Sequence, residues 1–197
     1  MFTGIVEAIG SLAEVKGMGG GFRVRIHTVL APEMKPGDSL AVNGVCLTVV
    51  LLDGEHVFAD VAPETARVTT LGALRRGQNV NLERPMRLDG RVDGHLVLGH
   101  VDGVGTVDEI RPEGDSQWLT IGFQPALAPF FIRKGSVTVD GVSLTIAGLG
   151  ERQLDVQVIP YTWANTSLKE VKKSDKVNLE CDMIGKYVVR ALELRKQ

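Results

Sequence analysis

Val42-Asn43-Gly44-Val45-Cys46-Leu47-Thr48-Val49-Val50 returns further along the chain as Val139-Asp140-Gly141-Val142-Ser143-Leu144-Thr145-Ile146-Ala147. The shift is 97 residues and five of the nine positions are identical. The same shift carries Pro63 onto Pro160, Thr65 onto Thr162, Thr69 onto Thr166 and Leu71 onto Leu168. It also carries Val80-Asn81-Leu82-Glu83 onto Val177-Asn178-Leu179-Glu180. Nearer the start, Gly4 to Gly10 matches Gly99 to Gly105 at a shift of 95, so two residues are gained in between. A constant frame over separate blocks is the signature of an internal duplication.

Each copy reads as strand. Leu40 to Leu52, His56 to Val61 and Gln78 to Glu83 are β-branched or alternating runs broken by Asn-Gly, Asp-Gly and Gly-Asp turns. Thr106 to Ile110, Trp118 to Phe123, Ser136 to Ile146 and Leu154 to Ile159 repeat the pattern. Short strands at this spacing predict an all-β chain of two tandem, homologous Greek-key barrels, six strands each, with no exposed edges. Short helices are expected at Ala31 to Met34, Ala66 to Leu74 and Asn165 to Val171, and Pro85 to Leu96 reads as the connection. After the second copy, Ile184, Tyr187, Val188, Ala191 and Leu192 recur at helical spacing, which predicts a C-terminal helix without a counterpart in the first copy. Its apolar stripe is expected to seat on another subunit. The expected units are residues 1–96, 97–182 and 183–197.

Composition excludes several roles. Twenty-two basic residues face 24 acidic ones, for a net charge of -2, so the basic excess of a nucleic-acid binder is missing. The start Met1-Phe2-Thr3-Gly4 lacks the charged and apolar regions of a signal peptide, and no run reaches the roughly 18 apolar residues of a membrane span. The chain reads as cytoplasmic. Cys46 and Cys181 form no CxxC pair, and His95 and His100 stand five apart without a third ligand, so no metal site is expected. No G-x-G-x-x-G unit for a dinucleotide occurs.

Shared positions describe the scaffold, and unshared ones point to chemistry. Thr48 and Thr145, Thr65 and Thr162, and Ser39 and Ser136 are matched hydroxyls that need either backbone or ligand partners. Cys46 faces Ser143 across the alignment, His100 stands where the first copy has Ile5, and Lys134 stands where it has Gly37. A catalyst handling two like molecules in opposite roles has a reason to distribute a thiol, an imidazole and an ammonium unequally. Each residue also has a bland reading: Cys46 as core, His100 as structural, Lys134 as a turn charge, Asp182 as a helix cap.

The chain resembles the riboflavin synthase family almost end to end. The resemblance rests on Met1-Phe2-Thr3-Gly4-Ile5-Val6, Asn43-Gly44-Val45-Cys46-Leu47-Thr48, and Gly94-His95-Leu96-Val97-Leu98-Gly99-His100-Val101-Asp102. Asp140-Gly141-Val142-Ser143-Leu144-Thr145 and Asn178-Leu179-Glu180-Cys181-Asp182 with Lys186-Tyr187 complete it. It implies two lumazine-binding barrels, a trimerisation helix, and a cytoplasmic transferase with neither metal nor redox cofactor. The implied reaction is a dismutation of two 6,7-dimethyl-8-ribityllumazine molecules to riboflavin and 5-amino-6-ribitylaminouracil. The implied partners are the lumazine, riboflavin, two further copies of the chain and, in some members, lumazine synthase.

The resemblance also implies site residues. His100 would do acid-base work, Cys46 and Ser39 would support addition in the first barrel, Ser143 and Thr145 would hold and polarise the ring in the second, and Asp182 would act at the interface. Phe2 would pack near the first ring. One pocket would comprise Gly4, Ile5, Val6, Cys46, Leu47, Thr48, Asp60, Val61, Ala62, Pro63, Glu64 and Thr65. The other would comprise Gly99, His100, Val101, Lys134, Ser143, Leu144, Thr145, Val158, Ile159, Pro160, Tyr161, Thr162 and Trp163. Tyr161 and Trp163 depart from the family's usual smaller or polar residues. The competing reading is a non-catalytic lumazine- or flavin-binding protein of the same fold.

Overall fold

In the computed structural model, which describes residues 1–195, the duplication appears as two closed six-stranded antiparallel barrels. The first is built from β1 (Ala8–Met18), β2 (Gly21–His27), β3 (Ser39–Val42), β4 (Val45–Asp53), β5 (His56–Val61) and β6 (Asn79–Glu83). The second uses β7 (Gly103–Glu113), β8 (Ser116–Gly122), β9 (Ser136–Val139), β10 (Val142–Leu149), β11 (Gln153–Val158) and β12 (Lys176–Cys181). Around the first barrel the order is β1-β2-β5-β4-β3-β6, and the second repeats it strand for strand. The register shifts between Leu12 and Glu14, and between Val49 and Leu51. Their equivalents fall between Val107 and Glu109, and between Ile146 and Gly148. Such bulges sharpen the strand bend that closure of a small barrel needs.

Each long run from residue 40 and from residue 136 proves to be a hairpin. Asn43 and Gly44 have φ of 46° and 77°, and Asp140 and Gly141 have 46° and 78°. Two consecutive positive φ values make the tight turn that suits the strand twist, and Asn-Gly or Asp-Gly supplies it with least strain. These two turns meet: a Cβ on Gly44 would lie 2.8 Å from the Gly141 amide nitrogen.

Around that meeting point runs a reciprocal polar network. The Asn81 amide donates to Asn43 Oδ1 (2.8 Å), and Asn81 Nδ2 donates to the Asp140 carbonyl (2.9 Å). In return, the Asn178 amide donates to Asp140 Oδ1 (2.8 Å) and Asn178 Nδ2 to the Asn43 carbonyl (2.9 Å). Asn81 Oδ1 also accepts from the Ser167 amide, and Asn178 Oδ1 from the Thr70 amide. The barrels are thus joined about an approximate twofold axis by buried groups whose hydrogen bonds cross the joint, a fixed geometry rather than a flexible tether.

The helical expectations need correction at their starts. Residues 66–74 and 165–171 are not single helices. The chain forms α1 (Pro63–Val68) and α2 (Pro160–Ala164), each followed by a 3-10 turn, Thr70–Ala73 and Ser167–Glu170. Pro63 and Pro160 open their helices, where a missing N–H costs nothing. A further 3-10 turn, Pro125–Phe130, lay outside the sequence expectation. The tail is α3 (Met183–Leu194), and its Ile184, Tyr187, Val188 and Leu192 are all more than half exposed. Among the described residues no helix is long and apolar enough to cross a membrane.

Candidate functional site

Before each barrel the chain forms a short arm, and each arm reaches the opposite barrel. Phe2 pairs with its own equivalent, Val97, through Phe2 N to Val97 O (2.8 Å) and Val97 N to Phe2 O (3.1 Å). The arms then diverge. The Ser143 amide donates to the Gly4 carbonyl (2.7 Å), whereas the Cys46 amide donates to the Gly99 carbonyl (2.9 Å). Gly4 and Gly99 both have φ of 76°, and a Cβ on either would sit 2.7 Å from the Cβ of Ser143 or Cys46 respectively. Only glycine lets the backbone approach so closely at that dihedral. Val6 consequently packs on the second barrel's core and Val101 on the first's.

This exchange corrects the grouping expected from chain order. Gly4, Ile5 and Val6 belong with Ser143, Tyr161 and Thr162, and together they line a cleft of about 460 Å³ that also includes Asn165 and Lys169. Gly99, His100 and Val101 belong instead beside Cys46. Local sequence cannot reveal the exchange, because an arm looks the same whichever barrel it serves.

In the second barrel's cleft the Ser143 hydroxyl lies 2.8 Å from His95 Nδ1. His95 is 9% exposed, and burial holds its imidazole below the ordinary histidine range, with the negative charge of Asp182 working in the other direction. In the tautomer that leaves Nδ1 bare, this neutral, buried imidazole accepts from the serine hydroxyl and can take its proton; in the other tautomer Nδ1 donates to it. Sequence reasoning weighed His95 only as a metal ligand. Its signal, the Gly94-His95 pair at the end of the connection, became legible once Gly94 was seen against Ser143. Among the described residues no group of three or more ligands suits a metal ion.

The remaining candidates are held in different ways. Leu47, Val61, Leu144 and Val158 turn their side chains into the barrel cores, so what they offer a ligand is backbone. Asp60 is bound by Arg23 (2.6 Å), which holds its carboxyl below the usual range, and Glu64 is likewise engaged by Arg67. Asp182 caps α3, its Oδ1 accepting from the Ile184 amide (3.0 Å), while its charge is still felt at His95. Ala62 and Ile159 precede α1 and α2, and Pro63 and Pro160 start them. The carbonyls of Thr65 and Thr162 accept from the hydroxyls of Thr69 and Thr166. Trp163 packs against the second core.

Cys46, Thr48 and Ser39 share the outer face of the first barrel, with Ser39 paired to Thr48. Ser39 also opens onto a separate groove of about 950 Å³ between Pro32 and the connecting segment. Ser143 and Thr145 repeat this on the second barrel. Lys134, exposed and at φ 69° where its counterpart Gly37 has 93°, occupies the turn before β9 and lines none of these clefts. Phe2 is buried against Ala41, Val97 and Cys46. Cys181 is a core residue, its thiol pushed up to about 12 chiefly by burial, and so unreactive at neutral pH.

Comparison with known proteins agrees with this construction. A model of the lumazine binding domain matches residues 3–85 and again 98–182. The chain is 42% identical over 193 residues to a riboflavin synthase of Bacillus subtilis (strain 168), covering 98% of this chain and 90% of that one. It is 40% identical to a riboflavin synthase of Brucella abortus (strain 2308) over the full length of both. Among solved structures, LumP complexed with 6,7-dimethyl-8-(1'-D-ribityl) lumazine superposes with a TM-score of 0.84 at 26% identity, over 92% of this chain and 99% of LumP. LumP complexed with riboflavin gives 0.86 at the same identity and coverage.

Proposed function

We propose, for a chain that belongs to the riboflavin synthase family of enzymes, that it dismutates 6,7-dimethyl-8-ribityllumazine. One molecule gives up a four-carbon unit and leaves as 5-amino-6-ribitylaminouracil; the other takes the unit and becomes riboflavin. Atoms and electrons balance between two identical substrates, so the step requires no external oxidant or reductant. The observation that carries the reading is the inequality of the two pockets. Equivalent positions hold Cys46 and Ser143, and Ile5 and His100, on one and the same scaffold. Only the second pocket has the serine–histidine pair.

The chemistry follows from the acidity of the lumazine C7 methyl, whose carbanion the ring delocalises. Holding two rings together makes their reaction effectively intramolecular, a gain that can reach roughly 7–11 kcal/mol when the pair is well aligned. Ser143, its hydroxyl polarised by neutral His95, would hold and activate one ring, with Thr145 beside it. Cys46, Thr48 and Ser39 would receive the other, with His100 exchanging protons at its methyl and ring nitrogens. The two sites must face each other, and within one chain each lies on its own barrel. The uncovered apolar stripe of α3 supports a homotrimer in which the second barrel of one copy meets the first barrel of the next.

The assay is purified protein with the lumazine alone, following riboflavin by absorbance. One riboflavin should form for every two substrate molecules consumed. Tight binding of the lumazine without turnover would instead support the competing reading, a carrier of the kind that the LumP complexes make conceivable.

A further inference from the structure

Both arms hang from buried glutamates at equivalent positions, but the two grips differ. Glu83, at the end of β6, accepts from the Thr3 amide (2.6 Å) and Thr3 hydroxyl (2.8 Å) on one oxygen, and from the Gly4 amide (3.0 Å) on the other. The Thr3 hydroxyl in turn accepts from the Ile5 amide (3.3 Å). Glu180, on β12 and 1% exposed, accepts from the Leu98 amide (2.8 Å), and among the described residues its buried Oε2 has no partner at hydrogen-bond geometry. Two changes make the difference: Leu98 stands where the first arm has Thr3 and has no hydroxyl to donate to Oε1, and the Gly99 amide makes no counterpart of the bond by which the Gly4 amide fills Oε2 in the first arm.

The rest of the second arm is secured at Gly99, by the Cys46 amide, and again beyond His100. Asp102 Oδ2 accepts from the Cys181 amide (2.7 Å) and from Lys186 Nζ (2.8 Å), and the Asp102 amide donates to the Leu179 carbonyl (2.8 Å). Between those bonds and Leu98, the Gly99 carbonyl receives the Cys46 amide, and the His100 ring has no hydrogen-bond partner among the described residues. A buried carboxylate oxygen with no donor is costly, of order 1–3 kcal/mol or more, and is seldom left without a reason. Burial pushes the Glu180 carboxyl above the usual range, and the Leu98 amide and, more weakly, the His100 amide pull it back, so the arm itself is a source of donors for this carboxylate.

We infer that Glu180 is a positioning residue for His100: through the Leu98 amide it sets where the imidazole stands beside Cys46, and its free oxygen leaves this arm adjustable while Glu83 clamps the other. A clamped arm suits a pocket that holds one ring still. An adjustable arm suits an imidazole that must serve more than one atom of the reacting pair. This inference rests on the acid-base role proposed for His100.

The test uses full-length protein with isotope-labelled histidine, read by imidazole NMR titration and amide hydrogen exchange. Glu180→Gln keeps the shape and removes the charge, and charged hydrogen bonds are roughly twice as strong as neutral ones. It should shift the His100 titration and speed exchange at residues 98–100 about tenfold. It should lower kcat about tenfold with KM within about twofold. Leu98→Thr, which supplies the missing hydroxyl, should slow exchange at the same residues. Glu83→Gln should loosen residues 3–5 and leave the His100 titration where it was. The inference is overturned if Glu180→Gln leaves titration and exchange at wild-type values, or if Glu83→Gln moves His100 as much. Titration and exchange need no turnover, so they decide the matter even if the wild-type protein makes no riboflavin.

Discussion

Asp140 is the weak member of the joint between the barrels, and replacing it with asparagine should strengthen the protein in a pH-dependent way. Its counterpart is Asn43, with the same φ of 46° and the same acceptor role toward an asparagine amide. Asp140 is 6% exposed, and burial pushes its carboxyl up to about 7, with the Asn178 amide pulling the other way. An unfolded aspartate titrates near 3.9, so over roughly pH 4 to 7 the unfolded chain has lost a proton that the folded chain keeps. Stability attributable to this group therefore falls as pH rises, by about 1.4 kcal/mol per unit, and levels off above about 7. The whole shift amounts to at most about 4 kcal/mol, and relaxation around the site should reduce it to roughly 2–3. Asp140→Asn keeps the Oδ1 acceptor and has no charge to bury. Urea unfolding at pH 4.5, 6, 7 and 8.5 should show near equality with wild type at the lowest pH and a growing advantage up to about 7. A gain that is flat with pH, or a loss at pH 8.5, would refute the reasoning.

Other expectations concern the arms, the serine–histidine pair and the tail. His95→Ala leaves the Ser143 hydroxyl without its imidazole partner and, with His95 as general base, should lower kcat by roughly 10²-fold or more, with ligand affinity measured by fluorescence changed far less. Gly99→Ala must place a Cβ 2.7 Å from that of Cys46 at a φ of 76°, so turnover should collapse while circular dichroism still shows both barrels. Gly54→Ala, also at positive φ but with open space around it, is the control and should cost little activity. Deleting residues 183–197 removes the apolar stripe of α3, and light scattering should then report monomers; an unchanged mass would remove the helix from the assembly.

The barrels were legible because β structure writes itself locally: alternation, β-branched runs and Asn-Gly or Asp-Gly turns each constrain a few neighbouring residues, although β1 and β2 were read only through their second-copy counterparts at 106–110 and 118–123. The tail helix was legible for the same reason, from the spacing of Ile184, Val188 and Leu192. The helices expected at 66–74 and 165–171 begin earlier, at Pro63 and Pro160, because proline is tolerated at the first helical position, where its missing N–H is not needed. The network through Asn43, Asn81, Asp140 and Asn178 was not legible, since polar side chains in turns and strands look solvent-facing until their partners from the other copy are known. His95 was underread for a related cause. It lies in the connection between the repeats, and its partner Ser143 is 48 residues away in the second one.

The arm exchange shows what a duplicated sequence hides and what it reveals. Residues identical in both copies, Gly44 with Gly141, Asn81 with Asn178 and Glu83 with Glu180, lie along the joint or at the roots of the arms, where one solution must satisfy both barrels. Residues that differ, Cys46 from Ser143 and Ile5 from His100, lie where an arm meets the barrel it visits, while Thr3 and Leu98 differ at the root of the arm, against the glutamate of their own barrel. Because each arm crosses over, a change in one half is felt in the pocket of the other: His100 is encoded with the second barrel but stands at the first. The two arms can therefore diverge in side chain while the joint that aligns the barrels stays symmetric, and each barrel's outer face is completed by backbone from the other half of the chain.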